Sequence, residues 1–149
     1  MDRLDRIILI INDMTVKGNT RMQKYGFLIR QLYSEDLHGL NFYDDWKPYL
    51  YGPYSAELKQ DLEECINQKL VAKFNTPTDS GREFMNYSLT MRGRMKLRNI
   101  VATYDIVKEL YQKFTKLNQK SMTSILKDIY LAYPNYTVNS EIRETVMND

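Results

Sequence analysis

Trp46-Lys47-Pro48-Tyr49-Leu50-Tyr51-Gly52-Pro53-Tyr54-Ser55, then Ala56 through Leu70, then Val71-Ala72-Lys73-Phe74, is the stretch whose reading decides the fold. Gly52-Pro53 is turn chemistry, and Pro48 confines the aromatic run to an edge strand or an extended arm. Ser55 stands where a helix cap belongs, with Glu57 in the first turn, where the helix dipole favours a carboxylate. Apolar residues recur at Leu58, Leu62, Cys65, Ile66 and Leu70, the spacing of one helix face. Lys59, Asp61, Glu63, Glu64 and Lys69 fall opposite. Val71 to Phe74 then changes to β-forming residues. A capped helix that feeds a strand, with a second strand to follow, is the pattern of a winged helix-turn-helix core.

Upstream, Leu4, Ile7, Ile8, Ile11 and Met14 form an apolar stripe that predicts a first helix over 3–14, ended by the Gly18-Asn19 break. Thr20 and Gln23 have the spacing of a capping box, so a second helix is expected from Thr20 to about Tyr33. Gly26 inside it implies close packing against a neighbour, since glycine there costs about 1 kcal/mol relative to alanine. Ser34 to Asp45 reads as an acidic loop. A compact helix-turn-helix joins its helices with ~3–4 residues. Roughly twenty intervene here, read as a loop plus an aromatic strand pairing with the later hairpin.

Downstream, Asn75 to Gly81 is turn chemistry, and Phe84, Tyr87 and Leu89 mark a returning strand, so 71–90 is expected to form the wing. Thr90 caps a long helix over 91–117, which at ~1.5 Å per residue would span ~40 Å. Its Leu97, Ile100, Tyr104, Val107, Tyr111 and Phe114 keep three- and four-residue steps, a seam suited to a homodimer. The stripe of the first helix has the same steps and is the competing, intramolecular cover. Ser121 caps a further amphipathic helix, and Ser140 to Val146 reads as a short terminal one. The expected architecture is therefore mainly α with a small β-hairpin: a winged-helix domain over 1–117, and a helical C-terminal extension of the same domain over 118–149.

Several motifs together resemble a known family. They are Thr20-Arg21-Met22-Gln23-Lys24, Tyr51-Gly52-Pro53-Tyr54-Ser55 with Asp61-Leu62, Tyr87-Ser88-Leu89-Thr90 followed by Gly93, and Tyr130 with Tyr133-Pro134. In order and spacing the chain resembles the small bacterial and archaeal YwgA-like winged-helix proteins, and more remotely the Panacea (SocA-like) antitoxin domain. The resemblance implies a winged-helix fold without enzymatic activity. The antitoxin relatives act by binding protein partners.

The residues themselves argue against catalysis. His38 is the single histidine and sits in the acidic loop with no nucleophile beside it. Cys65 lies on an apolar helix face, where a small buried hydrophobe is the ordinary reading. No metal-ligand spacing, phosphate-binding glycine loop or cofactor motif occurs. One cysteine and the absence of a ~20-residue apolar run or a signal-peptide pattern suit a cytoplasmic protein with no membrane span.

Charge is segregated. Residues 16–34 carry Lys17, Arg21, Lys24 and Arg30 with no acid, and 92–127 hold nine basic residues against two acidic ones. Double-stranded DNA is attracted to such a surface by phosphate neutralisation. Arg21, Lys24, Arg82, Arg92, Arg94, Lys96 and Arg98 are the candidate DNA contacts, and transcriptional regulation is the leading expectation. The helix from Ser55 to Leu70 opposes it, with four acids against two lysines in the element that would enter a major groove. The alternative is a protein-interaction module of the antitoxin or adaptor kind, with Trp46, Tyr49, Tyr51 and Tyr54 as anchors.

Overall fold

Ile7, Ile8, Leu9, Ile10 and Ile11 are five consecutive residues without exposed surface, and a helix apolar on every side has to be enclosed by its neighbours. The computed structural model, which describes residues 3–37, 39–77 and 83–136, sets this helix, α1 (Asp5–Ile11), at the centre. Packed against it are α2 (Asn19–Tyr33), α3 (Ala56–Asn67), α4 (Met91–Val101) and α5 (Ile106–Asn118). A sixth helix, α6 (Met122–Ala132), buries Ile125, Leu126, Ile129 and Tyr130 in the same core. The chain is mainly helical, with two small antiparallel sheets among the described residues.

The first sheet has β1 (Val16–Lys17), β4 (Val71–Pro77) and β5 (Glu83–Leu89) in the order β1-β5-β4. Val16 pairs with Tyr87, and the β4–β5 hairpin runs in register from Val71 opposite Leu89 to Pro77 opposite Glu83. The second sheet is a hairpin of its own, β2 (Lys47–Tyr49) and β3 (Gly52–Tyr54), inserted between α2 and α3. The aromatic segment thus pairs with itself and not with the later strands. Its two-residue turn is Leu50-Tyr51, and Gly52 leaves it at φ 91°, a left-handed value that suits glycine.

Local signals fixed three helix starts. Ser55 Oγ accepts from Leu58 N at 3.1 Å, Thr90 Oγ1 from Gly93 N at 3.1 Å, and Ser121 Oγ from Ser124 N at 3.1 Å. The fourth expectation fails. Thr20 is already inside α2, Gly18 holds the N-cap position without a side-chain cap, and Gln23 turns away to Ser55. Gly26 does mark a close approach: a methyl group there would overlap Leu58 Cδ1. Gly93 is tighter still, since its missing Cβ would collide with the Leu70 carbonyl oxygen.

The expected long helix is two helices. Between α4 and α5 the chain turns at 102–105, with Tyr104 N still bonded to Ile100 O at 2.9 Å. A straight helix could follow α1, only seven residues long, over a fraction of its own length. The turn lets both halves pack on it, and Asn12 at the end of α1 donates to Val107 O at 3.1 Å. Leu97, Ile100, Tyr104, Val107 and Phe114 are consequently buried within the chain, while Tyr111 stays partly exposed. The buried seam residues therefore serve the chain's own core. The helical extension returns to the body through Phe27, whose ring meets Tyr133 at 5.1 Å and Tyr136 at 4.9 Å. Of the turn expected over Asn75 to Gly81, Asn75 to Pro77 instead continue β4, and the rest, with His38, Arg82 and the expected helix over Ser140 to Val146, lies outside the described residues.

Asp61 departs from the polar face on which periodicity sets it. It is buried, paired with both Arg3 and Arg6, and accepts the Tyr43 hydroxyl at 2.8 Å. The Arg6 guanidinium also lies 3.8 Å over the Tyr43 ring. This cluster ties α1 and the 39–46 connection to α3. Asp61→Ala should therefore cost about 3 kcal/mol in urea unfolding, because it removes the carboxylate that balances the largely buried Arg6 guanidinium and accepts the Tyr43 hydroxyl. Glu63→Ala, two residues on and exposed, should change stability by less than about 0.5 kcal/mol.

Candidate functional site: a buried lysine beneath a tyrosine hairpin

Gln23 and Lys24 are adjacent on α2, and both reach the junction between β3 and α3. Gln23 Nε2 donates to Ser55 O at 2.9 Å, and Ser55 N donates back to Gln23 Oε1 at 2.7 Å. This two-point grip pins the first turn of α3. Lys24 Nζ donates to Pro53 O at 2.8 Å. Only 2% of Lys24 is exposed, and Pro53 is its one hydrogen-bond partner among the described residues. Burial without a counter-charge disfavours the ammonium form and lowers the Lys24 pKa to about 7.

A cleft of about 220 Å³ opens beside this amine, between the start of α2 and the hairpin. Tyr49, Tyr51 and Tyr54 line its hairpin wall, and Asn19, Thr20, Gln23 and Lys24 its helix wall. Tyr49 and Tyr54 stack with ring centroids 5.1 Å apart. Asn19 Oδ1 is buried with no hydrogen-bond partner. Tyr49 and Tyr51, exposed by 53% and 45%, continue the aromatic surface outward with Leu50 between them.

Trp46 is not part of that surface. It is buried against Phe27 at 5.3 Å and donates from Nε1 to Phe42 O at 3.0 Å, so it is a core residue. The acidic connection has work of its own: one carboxylate oxygen of Asp45 accepts from Ser55 Oγ, and the other accepts from Glu57 N at 3.0 Å. Asp45 thereby occupies the N-terminus of α3.

Among the described residues, the basic candidates do not all lie on one surface. Lys24 is buried and cannot meet a phosphate backbone. Arg21 donates to Lys120 O at 2.9 Å, at the end of α5. Lys96 pairs with Asp5 at 3.5 Å. Arg92, Arg94 and Arg98 are exposed on α4, with Arg92 also donating to Gln68 O at 3.2 Å. They share that surface with Met91, 81% exposed, and Met95. Among the described residues no group of three or more histidine, cysteine or acidic side chains is placed to hold a metal, and no helix is long and apolar enough to cross a membrane. Compared with protein-family models, curated proteins and solved structures, the chain matches none.

Periodicity could not reveal the burial of Lys24, because residues 22–27 are buried all round the helix. The available signal was the hairpin itself: an insertion between two packed helices must lie on one of them. The pH dependence follows with its sign. With a folded pKa of about 7 against an ordinary 10.5, Lys24 binds fewer protons folded than unfolded across that interval, so stability rises with pH there. Between pH 7 and pH 9 the parent should gain about 2 kcal/mol relative to Lys24→Met, measured by urea unfolding at each pH.

Proposed function

We propose that the chain is a non-enzymatic winged-helix protein that acts by holding a protein partner, with the β2–β3 hairpin as its contact surface. The order α1-β1-α2-α3-β4-β5, with strands arranged β1-β5-β4 and α3 running directly into β4, supports the winged-helix reading. The motifs that resemble the YwgA-like proteins also meet one another, since Gln23-Lys24 grips Pro53 and Ser55.

The observation that carries the interaction reading is what stands where a short helix-helix turn would be. The hairpin presents Tyr49, Leu50 and Tyr51 to solvent, and exposed tyrosines are the side chains that dominate interface energetics. Meanwhile α3, the helix that would enter a major groove, turns Glu57 and Glu63 outward. Its N-terminus, where a phosphate would otherwise bind, already holds the Asp45 carboxylate. Both features repel a polyanion from that helix.

The exposed Arg92, Arg94 and Arg98 favour a second reading, a transcriptional regulator that holds duplex DNA through α4. The two readings separate by mutation. The tagged chain, expressed in its own host, should recover one protein in near-stoichiometric amount. Tyr49→Ala combined with Tyr51→Ala should lose that partner without lowering the melting temperature, since both rings are exposed. Arg94→Glu with Arg98→Glu should keep it. If the tyrosine variant retains every partner while the arginine variant loses salt-dependent affinity for duplex DNA, the second reading replaces the first.

A further inference from the structure

We infer that the cleft between the start of α2 and the hairpin is a binding site for a carboxylate that carries a hydrogen-bond donor close by, as in an amino acid or a hydroxy acid. This goes beyond the partner surface on the outside of the same hairpin. Four features of the cleft converge on it. Lys24 lines the cleft nine-tenths buried, and its amine spends one donor on Pro53 O, which leaves its remaining donor capacity and its charge without an acceptor among the described residues. Gly52, which also lines the cleft, adjoins the end of that side chain: a Cβ there would sit 3.1 Å from Tyr130 Cε1, 3.7 Å from Lys24 Cε and 3.9 Å from Nζ. Asn19 Oδ1, buried and unpartnered, is an acceptor in the same cleft and calls for a donor on the ligand. The first turn of α2, which carries Asn19 and Thr20, has no side-chain cap, so its N–H groups and dipole add to the attraction for an anion.

Charge decides the ligand class. The groups facing Lys24 are the Gln23 amide on its own helix, the phenols of Tyr49, Tyr51 and Tyr54 on the hairpin, and the Tyr130 ring, which lies against Gly52 from α6. No carboxylate among the described residues lines the cleft, so a cation would meet no opposite charge and a neutral ligand would leave a protonated Lys24 unbalanced. Size narrows it further. A cleft of about 220 Å³ suits one small acid or the last residue of a peptide. The tyrosine wall favours a planar or apolar body behind the carboxylate.

Because the free amine has a pKa near 7, holding a carboxylate requires it to take up a proton at higher pH. The test is calorimetric titration of the whole chain with phenylalanine, 3-phenyllactate and the peptide Gly-Gly-Phe, each beside its C-terminal amide. At least one acid should bind, with its amide at least tenfold weaker. Binding of the free acids together with the peptide, or of the peptide alone, tells a free metabolite from a chain terminus as the source. Affinity should fall roughly a hundredfold between pH 6 and pH 9, as the protonated fraction of a group with pKa near 7 does. At pH 8, titration in two buffers of different ionisation enthalpy should show uptake of close to one proton per ligand. This readout uses the unaltered protein, so it stands even if Lys24→Met folds poorly. Failure of all three acids to bind, equal affinity for acid and amide, or binding without proton uptake at pH 8 each overturns the proposal. No protein partner is present, so the result is independent of partner capture.

Discussion

The enclosure of α1 is the constraint from which the rest of the structure follows. A seven-residue helix whose last five residues are isoleucine or leucine offers solvent no acceptable face there, so elements must close around that whole circumference. That requirement explains why the chain turns at 102–105 instead of continuing as one rod. It also explains why the apolar steps of α4 and α5 are used up inside the molecule. The same requirement places charge at the N-terminal end of α1, where Arg3 and Arg6 reach the buried Asp61 of α3 and Asp5 meets Lys96 of α4. The ion pairs therefore orient helices whose contact is otherwise non-directional apolar packing.

What could be read from the sequence was what local chemistry determines. Ser55, Thr90 and Ser121 cap the helices they precede, because a hydroxyl followed by an amphipathic run is a short-range signal. The β4–β5 hairpin follows from turn residues between β-forming runs, and Gly26 from close approach. What failed depended on distant partners. Thr20 and Gln23 have capping-box spacing, but Gln23 gains more from two buried bonds to Ser55, thirty-two residues away, than from its own helix end. The step of three and four residues persists through Tyr104 whether the helix bends or not, so periodicity alone could not locate the turn.

The candidate site was legible only in its parts. The aromatic segment stood out as a run of tyrosines between prolines, yet its division into a buried Trp46 and exposed Tyr49 and Tyr51 depends on how the hairpin lies across α2. Charge alone places Lys24 among the surface cations, since a lysine is almost never fully buried. Helical spacing places Asp61 among the surface acids. Both errors have one cause: the residues between α2 and α3 cover faces that helical spacing alone would leave in water.

Lys24 is the residue for which packing gives no sufficient reason. An apolar side chain of similar length would fill the same volume and leave one carbonyl, Pro53 O, in search of a donor. A lysine supplies that donor, but below pH 7 it also carries a charge with no counter-ion among the described residues, and this weakens the fold. A glutamine could have bonded the carbonyl at no such cost, as Gln23 does one residue earlier. What a lysine offers beyond a glutamine is the charge itself, poised near half-protonation at neutral pH. A charge held in that state at the wall of a cleft has its energy set by whatever enters the cleft, which makes an incoming anion the natural complement of this buried amine.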